Sequence, residues 1–165
     1  MFYLLPKLQP IHFLNLWQIN SYPTLMLSKI NVLLRLVVSI ILLQSLYFKF
    51  TGHPEAIHVF STLGVEPWGR YVLGVIELIT GLALLVPRTK ITALFVTVFL
   101  MLGALGSHLC TPLGIVVEWD ENSDHGQLFI MAIIAFIFSL TSIILYCKIR
   151  KCSISQLIAQ ELFKN

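Results

Sequence analysis

The sequence predicts an all-α integral membrane protein: a four-helix transmembrane bundle with a short interfacial helix between spans one and two. Three observations predict it. Of the 165 residues, 57% are hydrophobic and 12% charged, and the mean hydropathy is +0.86. Soluble domains carry about 25% charged residues, so this charge density cannot coat a water-soluble globule. Four apolar windows are long enough to cross a hydrocarbon core, which takes roughly 20 residues of helix. Those windows lack the period-2 alternation of strands, and in lipid a spanning backbone must satisfy its own polar groups. The same apolar content excludes a disordered chain. A net charge of +3 without a dense basic stripe argues against a nucleic-acid partner. The partner implied first is the lipid bilayer.

The spans follow in order. The first is Ile30–Phe48, the second Gly69–Val86, the third Ile91–Leu109 and the fourth Gln127–Cys147. Only Pro87-Arg88-Thr89-Lys90 separates spans two and three, which forces an antiparallel helix hairpin. Between spans one and two, Gly52-His53-Pro54-Glu55 reads as a helix start, with proline tolerated in the first turn. Ala56, Val59, Phe60 and Leu63 form its apolar edge, and Gly64-Val65-Glu66-Pro67 ends it. Such a helix is placed to roof a cavity between the spans or to serve as a plain surface linker.

The ends read separately, giving three sections: 1–28, 29–150 and 151–165. Pro6, Pro10 and Pro23 break any single spanning helix in the first 27 residues. No basic start, apolar stretch and small-residue cleavage site occur in that order, so a cleaved signal peptide is not expected. Met26-Leu27-Ser28-Lys29 reads as a natural start, which would leave residues 1–25 outside the native chain. In the tail, Ile154, Leu157, Ile158 and Leu162 share one face, with Gln160, Glu161 and Lys164 largely off it. That pattern predicts a short helix lying on the inner leaflet.

Charge sets the orientation. Lys7, Lys29, Arg35, Arg88, Lys90, Lys148, Arg150, Lys151 and Lys164 fall on one side, and only Lys49 and Arg70 on the other. The loop after span three holds Glu118, Asp120, Glu121 and Asp124 without a Lys or Arg. Short basic loops stay cytoplasmic, so the expectation is a cell (plasma or inner) membrane protein with both termini cytoplasmic. Trp68 and Trp119 are then expected in the outer headgroup zone. The three cysteines form no CxxC, which leaves a disulfide-exchange site without support.

The informative groups are ionisable residues within spans. Glu77 lies about 12 Å below Gly69 at the helical rise, and an intramembrane carboxylate marks a function or a fixed partner. Gly74, Glu77 and Gly81 share a face on which a neighbouring helix can approach closely. Ala132, Ala135, Ser139 and Ser142 of span four form a matching stripe expected to pack there. Arg35 lies about 8 Å from the inner edge and Glu77 about 15 Å. The gap of about 7 Å makes Arg35 the expected partner of Glu77, within reach of an extended side chain. Lys49, on the same face as Arg35, Ser39, Leu42 and Leu46, is expected to snorkel to the outer interface. His108 ends span three on a face with Thr97, Met101 and Ala104. His108, Asp124 and His125 have no regular ligand spacing, so no metal is expected.

Leu34-Arg35-Leu36 opens span one and Phe48-Lys49-Phe50-Thr51-Gly52 closes it. Gly74-Val75-Ile76-Glu77-Leu78-Ile79-Thr80-Gly81-Leu82-Ala83-Leu84-Leu85 forms span two, a His ends span three, and a Gly follows the polar loop. Over roughly residues 30–147 this order resembles the DoxX family of small four-helix membrane proteins, whose Arg, Lys, Glu and His positions match Arg35, Lys49, Glu77 and His108. Members of that family are described as membrane subunits of redox systems, including thiosulfate:quinone oxidoreductase. The resemblance therefore implies a redox-associated membrane subunit, with other redox-enzyme subunits as partners and quinone as the cofactor to consider. If the chain is catalytic, Glu77, Arg35 and His108 are the candidates; if it binds a cofactor, Glu77, His108 and Lys49. A small-solute transporter, or a membrane chaperone or assembly factor without catalytic activity, is the alternative. A lipophilic cavity beside Glu77 that opens to lipid would favour the redox class. A watery vestibule would favour transport, and neither cavity a structural subunit.

Overall fold

The computed structural model describes the backbone of residues 10–162 and the side chains of residues 24–159 and 161. It is 78% helical, and its elements run α1 (Pro10–Thr51), α2 (Pro54–Thr62), α3 (Trp68–Leu85), α4 (Lys90–Cys110), β1 (Glu118–Trp119), β2 (Asn122–Ser123), α5 (Gln127–Arg150) and α6 (Ile154–Leu162). Four of the helices are long and apolar enough to cross a membrane: Thr24–Thr51 within α1, then α3, α4 and α5. All four spans expected from the sequence are present, as is the short helix between the first two.

Each element ends where its residues stop supporting it. Proline at the first turn of α2 costs no hydrogen bond, and Gly64 leaves the helix at φ +72°, where an L side chain is disfavoured. Gly126 takes the same left-handed conformation (φ +80°) just before α5. The helix α1 differs from expectation: it continues from Pro10 through Pro23 without a break. One proline removes only one backbone donor, which a long helix absorbs. Pro6 and Lys7 lie outside the described residues.

The helices form a ring. α1 packs along α3 and α5, and α4 packs along α5 and α3. The core runs through Val38 and Leu42 of α1, Leu84 of α3, Leu94 and Met101 of α4, and Ala135 and Ile143 of α5. Contrary to the expectation from the sequence, the small-residue faces of α3 and α5 are therefore not opposed. A Cβ at Gly74 would meet the Phe50 ring at 3.1 Å, and one at Gly81 would meet Leu43 at 3.0 Å, so both glycines receive α1. The α5 stripe also borders α1: Ala132, Ala135, Ser139 and Ser142 are buried, and Asn31 Nδ2 donates to the Ser142 carbonyl at 2.6 Å. α1 is the longest helix and takes the close contacts on both flanks.

The two ends carry opposite charge. Lys90 and Arg150 lie over the Tyr146 ring, at 4.9 and 5.8 Å from its centroid, so the start of α4 and the end of α5 meet at one basic end. At the other end β1 and β2 pair as a two-residue hairpin, Glu118 opposite Ser123 and Trp119 opposite Asn122. The tail helix α6 tucks under the basic end. Leu157 is buried, whereas Ile154 and Ile158 are exposed, and Thr92 donates to Glu161 at 2.6 Å. The side chains of Gln160 and Leu162, and all of Lys164, lie outside the described residues.

Candidate functional site

Antiparallel packing of α1 on α3 sets the register of the intramembrane charges. Ser39 donates to the Gly81 carbonyl at 2.8 Å, and Arg35 Nη1 to the Leu84 carbonyl at 2.7 Å. Arg35 Nε also reaches Asn31 Oδ1 at 3.3 Å. Leu84 lies in the last turn of α3, where carbonyls have no helical partner and a cation is favoured by the helix dipole. Arg35 therefore caps α3 and is not the partner of Glu77. Glu77 lies seven residues before Leu84, about 10 Å further up the helix. The sequence estimate placed it too close, because the carbonyl competing for Arg35 cannot be seen in a count of charges.

Glu77 is held instead from the outer half of α1. Lys49 Nζ lies 2.8 Å from Glu77 Oε2, and Ser45 donates to the same oxygen at 2.7 Å. The Ser45 hydroxyl also lies 2.8 Å from the Leu42 carbonyl. The Lys49 and Glu77 side chains are 13% and 7% exposed, so Lys49 turns inward and does not snorkel. Taking an ion pair this far from water is tolerated when both ions are paired and further hydrogen bonds complete them. Two details complete the support. Arg70 Nη1 donates to the Lys49 carbonyl, and Arg70 grips Glu66 through three contacts of 2.7–3.0 Å. Arg70, 4% exposed, thus positions the end of α1 that carries Lys49.

Above the ion pair lies a cavity of about 830 Å³ with a mainly apolar lining. Glu77, Lys49 and Ser45 line one part of it. Ala56, Val59 and Phe60 of α2, with Leu63 just after it and Trp119, line another. The apolar edge of α2 is therefore a roof, not the underside of a linker. Trp119 contributes to that roof, with its ring at 6.3 Å and 71° to His53. Trp68, in contrast, is 62% exposed.

His108 also lines the cavity. Its Nδ1 lies 2.6 Å from the Gly114 carbonyl; a carbonyl only accepts, so Nδ1 carries the proton. The ring rests edge-on against Phe129 at 5.5 Å. Asp124 is buried, and its carboxylate accepts from the backbone amides of Val117, Gly126 and Leu128 at 2.7, 2.8 and 3.1 Å. It fastens the hairpin and the start of α5 beside the roof. Among the described residues no group of three or more His, Cys, Asp and Glu could hold a metal ion. At the rim, burial and the nearby Asp124 carboxylate push Glu55 above its ordinary value, with His53 and Lys49 opposing.

Glu77, Lys49 and His108 thus meet on one cavity, while Arg35 belongs to the opposite half of the bundle. Residues 33–113 match the model of the DoxX-like family. No curated protein and no solved structure matches the chain. The DoxX-like segment contains Arg35, Lys49, Glu77 and His108, and it ends before the hairpin and the fourth span. Ser45 has no role in the sequence reading, and Arg70, Glu55 and Trp119 enter it only as an outer cation, part of a helix start and an interface residue, not as parts of the site. Two of them left a signal: Ser45 precedes Lys49 by one helical turn, and Glu66 precedes Arg70 by four residues, the spacing at which helical ion pairs form.

Proposed function

We propose that this DoxX-like multi-pass membrane protein holds a lipid-soluble molecule of the quinone class in its cavity, as a subunit or accessory component of a membrane redox system. The observation that carries the reading is the meeting of an apolar cavity with the Lys49–Glu77 pair. Ligand pockets of about 300–1,000 Å³ are mostly apolar, with a few polar groups that fix orientation. Lys49 has three N–H donors, only one of which faces Glu77 Oε2. Among the described residues both contacts of Glu77 fall on Oε2, which leaves Oε1 as an acceptor. A quinone carbonyl can accept from Lys49 and a quinol hydroxyl can donate to Glu77, so the pair suits both redox forms. Arg35 has no part in this site.

The gathering of Lys90, Arg150 and Arg35 at one end, away from the acidic hairpin, supports a cytoplasmic position for that end. The reading is tested on the purified chain in lipid nanodiscs, with decyl-substituted dimethoxy-methyl-benzoquinone as probe. Saturable binding that weakens at least tenfold in Glu77→Gln or Lys49→Met is expected. Absence of saturable binding overturns it.

A further inference from the structure

The wall of the cavity is not equally closed on every side. Between α1 and α5 the exposed Gln44 and Phe48 also line it, but there the two helices are bridged by a hydrogen bond from Gln44 Nε2 to the Met131 sulfur at 3.4 Å. α3 and α4 are tied at their turn, where Thr89 donates to the Ala83 carbonyl at 2.8 Å. Among the described residues no hydrogen bond joins them near Leu73 or Gly103. Of the four neighbouring pairs in the ring, α3 and α4 share the least contact. Leu73 of α3 and Phe99, Leu100 and Gly103 of α4 line the cavity, although Phe99 is 72% exposed and Gly103 is also exposed. A residue that faces the cavity and the exterior together marks the lip of an opening. A Cβ built on Gly103 would meet no neighbouring side chain or helix among the described residues within 4 Å, so the space beside it is open. The exterior at this depth is hydrocarbon, because both helices are spans.

Resting on the reading of the cavity as a quinone-class site, we propose that its ligand enters from the bilayer through an opening between α3 and α4 framed by Leu73, Phe99 and Gly103, with its head at the Lys49–Glu77 pair and its hydrocarbon tail lying across Gly103. A tail is implied by the chemistry of the walls. Ring-sized polar heads need only the donors at the floor, whereas the remaining lining is apolar and continuous with lipid. Gly103 then sets specificity for tailed over tail-less molecules, because any larger side chain there occupies the tail's path.

The experiment compares two probes in nanodiscs, a tail-less dimethoxy-methyl-benzoquinone and its decyl derivative, on the native chain, Gly103→Phe and Leu102→Phe. Leu102 is exposed on the same helix and lies outside the cavity lining. Gly103→Phe should weaken the decyl probe at least tenfold and the tail-less probe less than twofold, with Leu102→Phe changing neither. Equal weakening of both probes, or of neither, overturns the proposal. A second measurement is independent of any quinone: quenching of a Leu100→Trp reporter by brominated lipid, with the native tryptophans replaced by Phe. Gly103→Phe should halve that quenching or more, and unchanged quenching overturns the side opening. If the reporter responds but neither quinone binds, the quinone reading falls and the entrance stands.

Discussion

Lys49 Nζ meets Glu77 Oε2 at 2.8 Å under a roof made by α2 and Trp119, about four helical turns along α1 from the arginine that charge counting selects. This pairing fixes what the cavity can recognise. It also decides which substitutions should be coupled and which should not.

Breaking the pair from one side leaves an orphaned charge in a low-dielectric setting, which costs about 3 kcal/mol or more. Lys49→Met and Glu77→Gln should each lower the unfolding midpoint in detergent. The double variant should recover much of the loss. A double variant as unstable as the worse single one would show that the two groups act separately.

Arg35 and Glu77 should not couple. Residues without shared partners have additive effects within about 0.5 kcal/mol. Arg35→Met should destabilise by leaving the Leu84 carbonyl and Asn31 without their donor, and it should leave quinone affinity within twofold. A double-mutant cycle on Arg35 and Glu77 with an interaction term above about 1 kcal/mol would contradict this.

Asp124 should matter far more than its neighbours in the acidic loop. Asp124→Ala removes acceptors from three backbone amides, at about 1–3 kcal/mol for buried donors left unmatched. Hydrogen exchange at Val117 and Gly126 should accelerate. Glu118→Ala, on an exposed position, should stay within about 0.5 kcal/mol of the native chain.

Glu55 gives the roof a pH dependence. Its carboxyl is raised in the folded state by burial and by Asp124, so the folded form holds its proton to higher pH than the unfolded form. The unfolded chain then binds fewer protons, and stability contributed by Glu55 falls as pH rises from the ordinary carboxylate value through the raised one. The difference in unfolding midpoint between the native chain and Glu55→Gln should therefore shift against the native chain across that window. A difference that is flat with pH would remove Glu55 from this role.

Close approach of α1 to α3 predicts contrasting glycines. Gly81→Val adds atoms against Leu43 and disturbs the Ser39 bond, and overpacking of this kind costs about 1–3 kcal/mol. Gly103→Ala meets open space within a helix, so it should keep the unfolding midpoint or raise it, by up to about 1 kcal/mol of stability. A loss at Gly103→Ala like that at Gly81→Val would mean that the space beside Gly103 is not open, since helix propensity favours Ala over Gly.

The sequence by itself determined the class of protein and most of its segments. Hydropathy and length mark four spans, because a backbone in hydrocarbon has few ways to satisfy itself. His53-Pro54-Glu55 and Gly64 bound the roof helix, since proline and glycine act locally. Glu77 stood out as an expensive group, and the basic and acidic ends separate in the order of residues alone. Tertiary structure decided the partnerships. Arg35 had a backbone carbonyl available that no residue list displays, and Lys49 turned inward because Arg70 holds its carbonyl while Ser45 completes the carboxylate. The hairpin pinned by Asp124 and the sparse contact of α3 with α4 depend on register across helices. A pattern along one helix gives the face a residue occupies; only packing gives what stands opposite it.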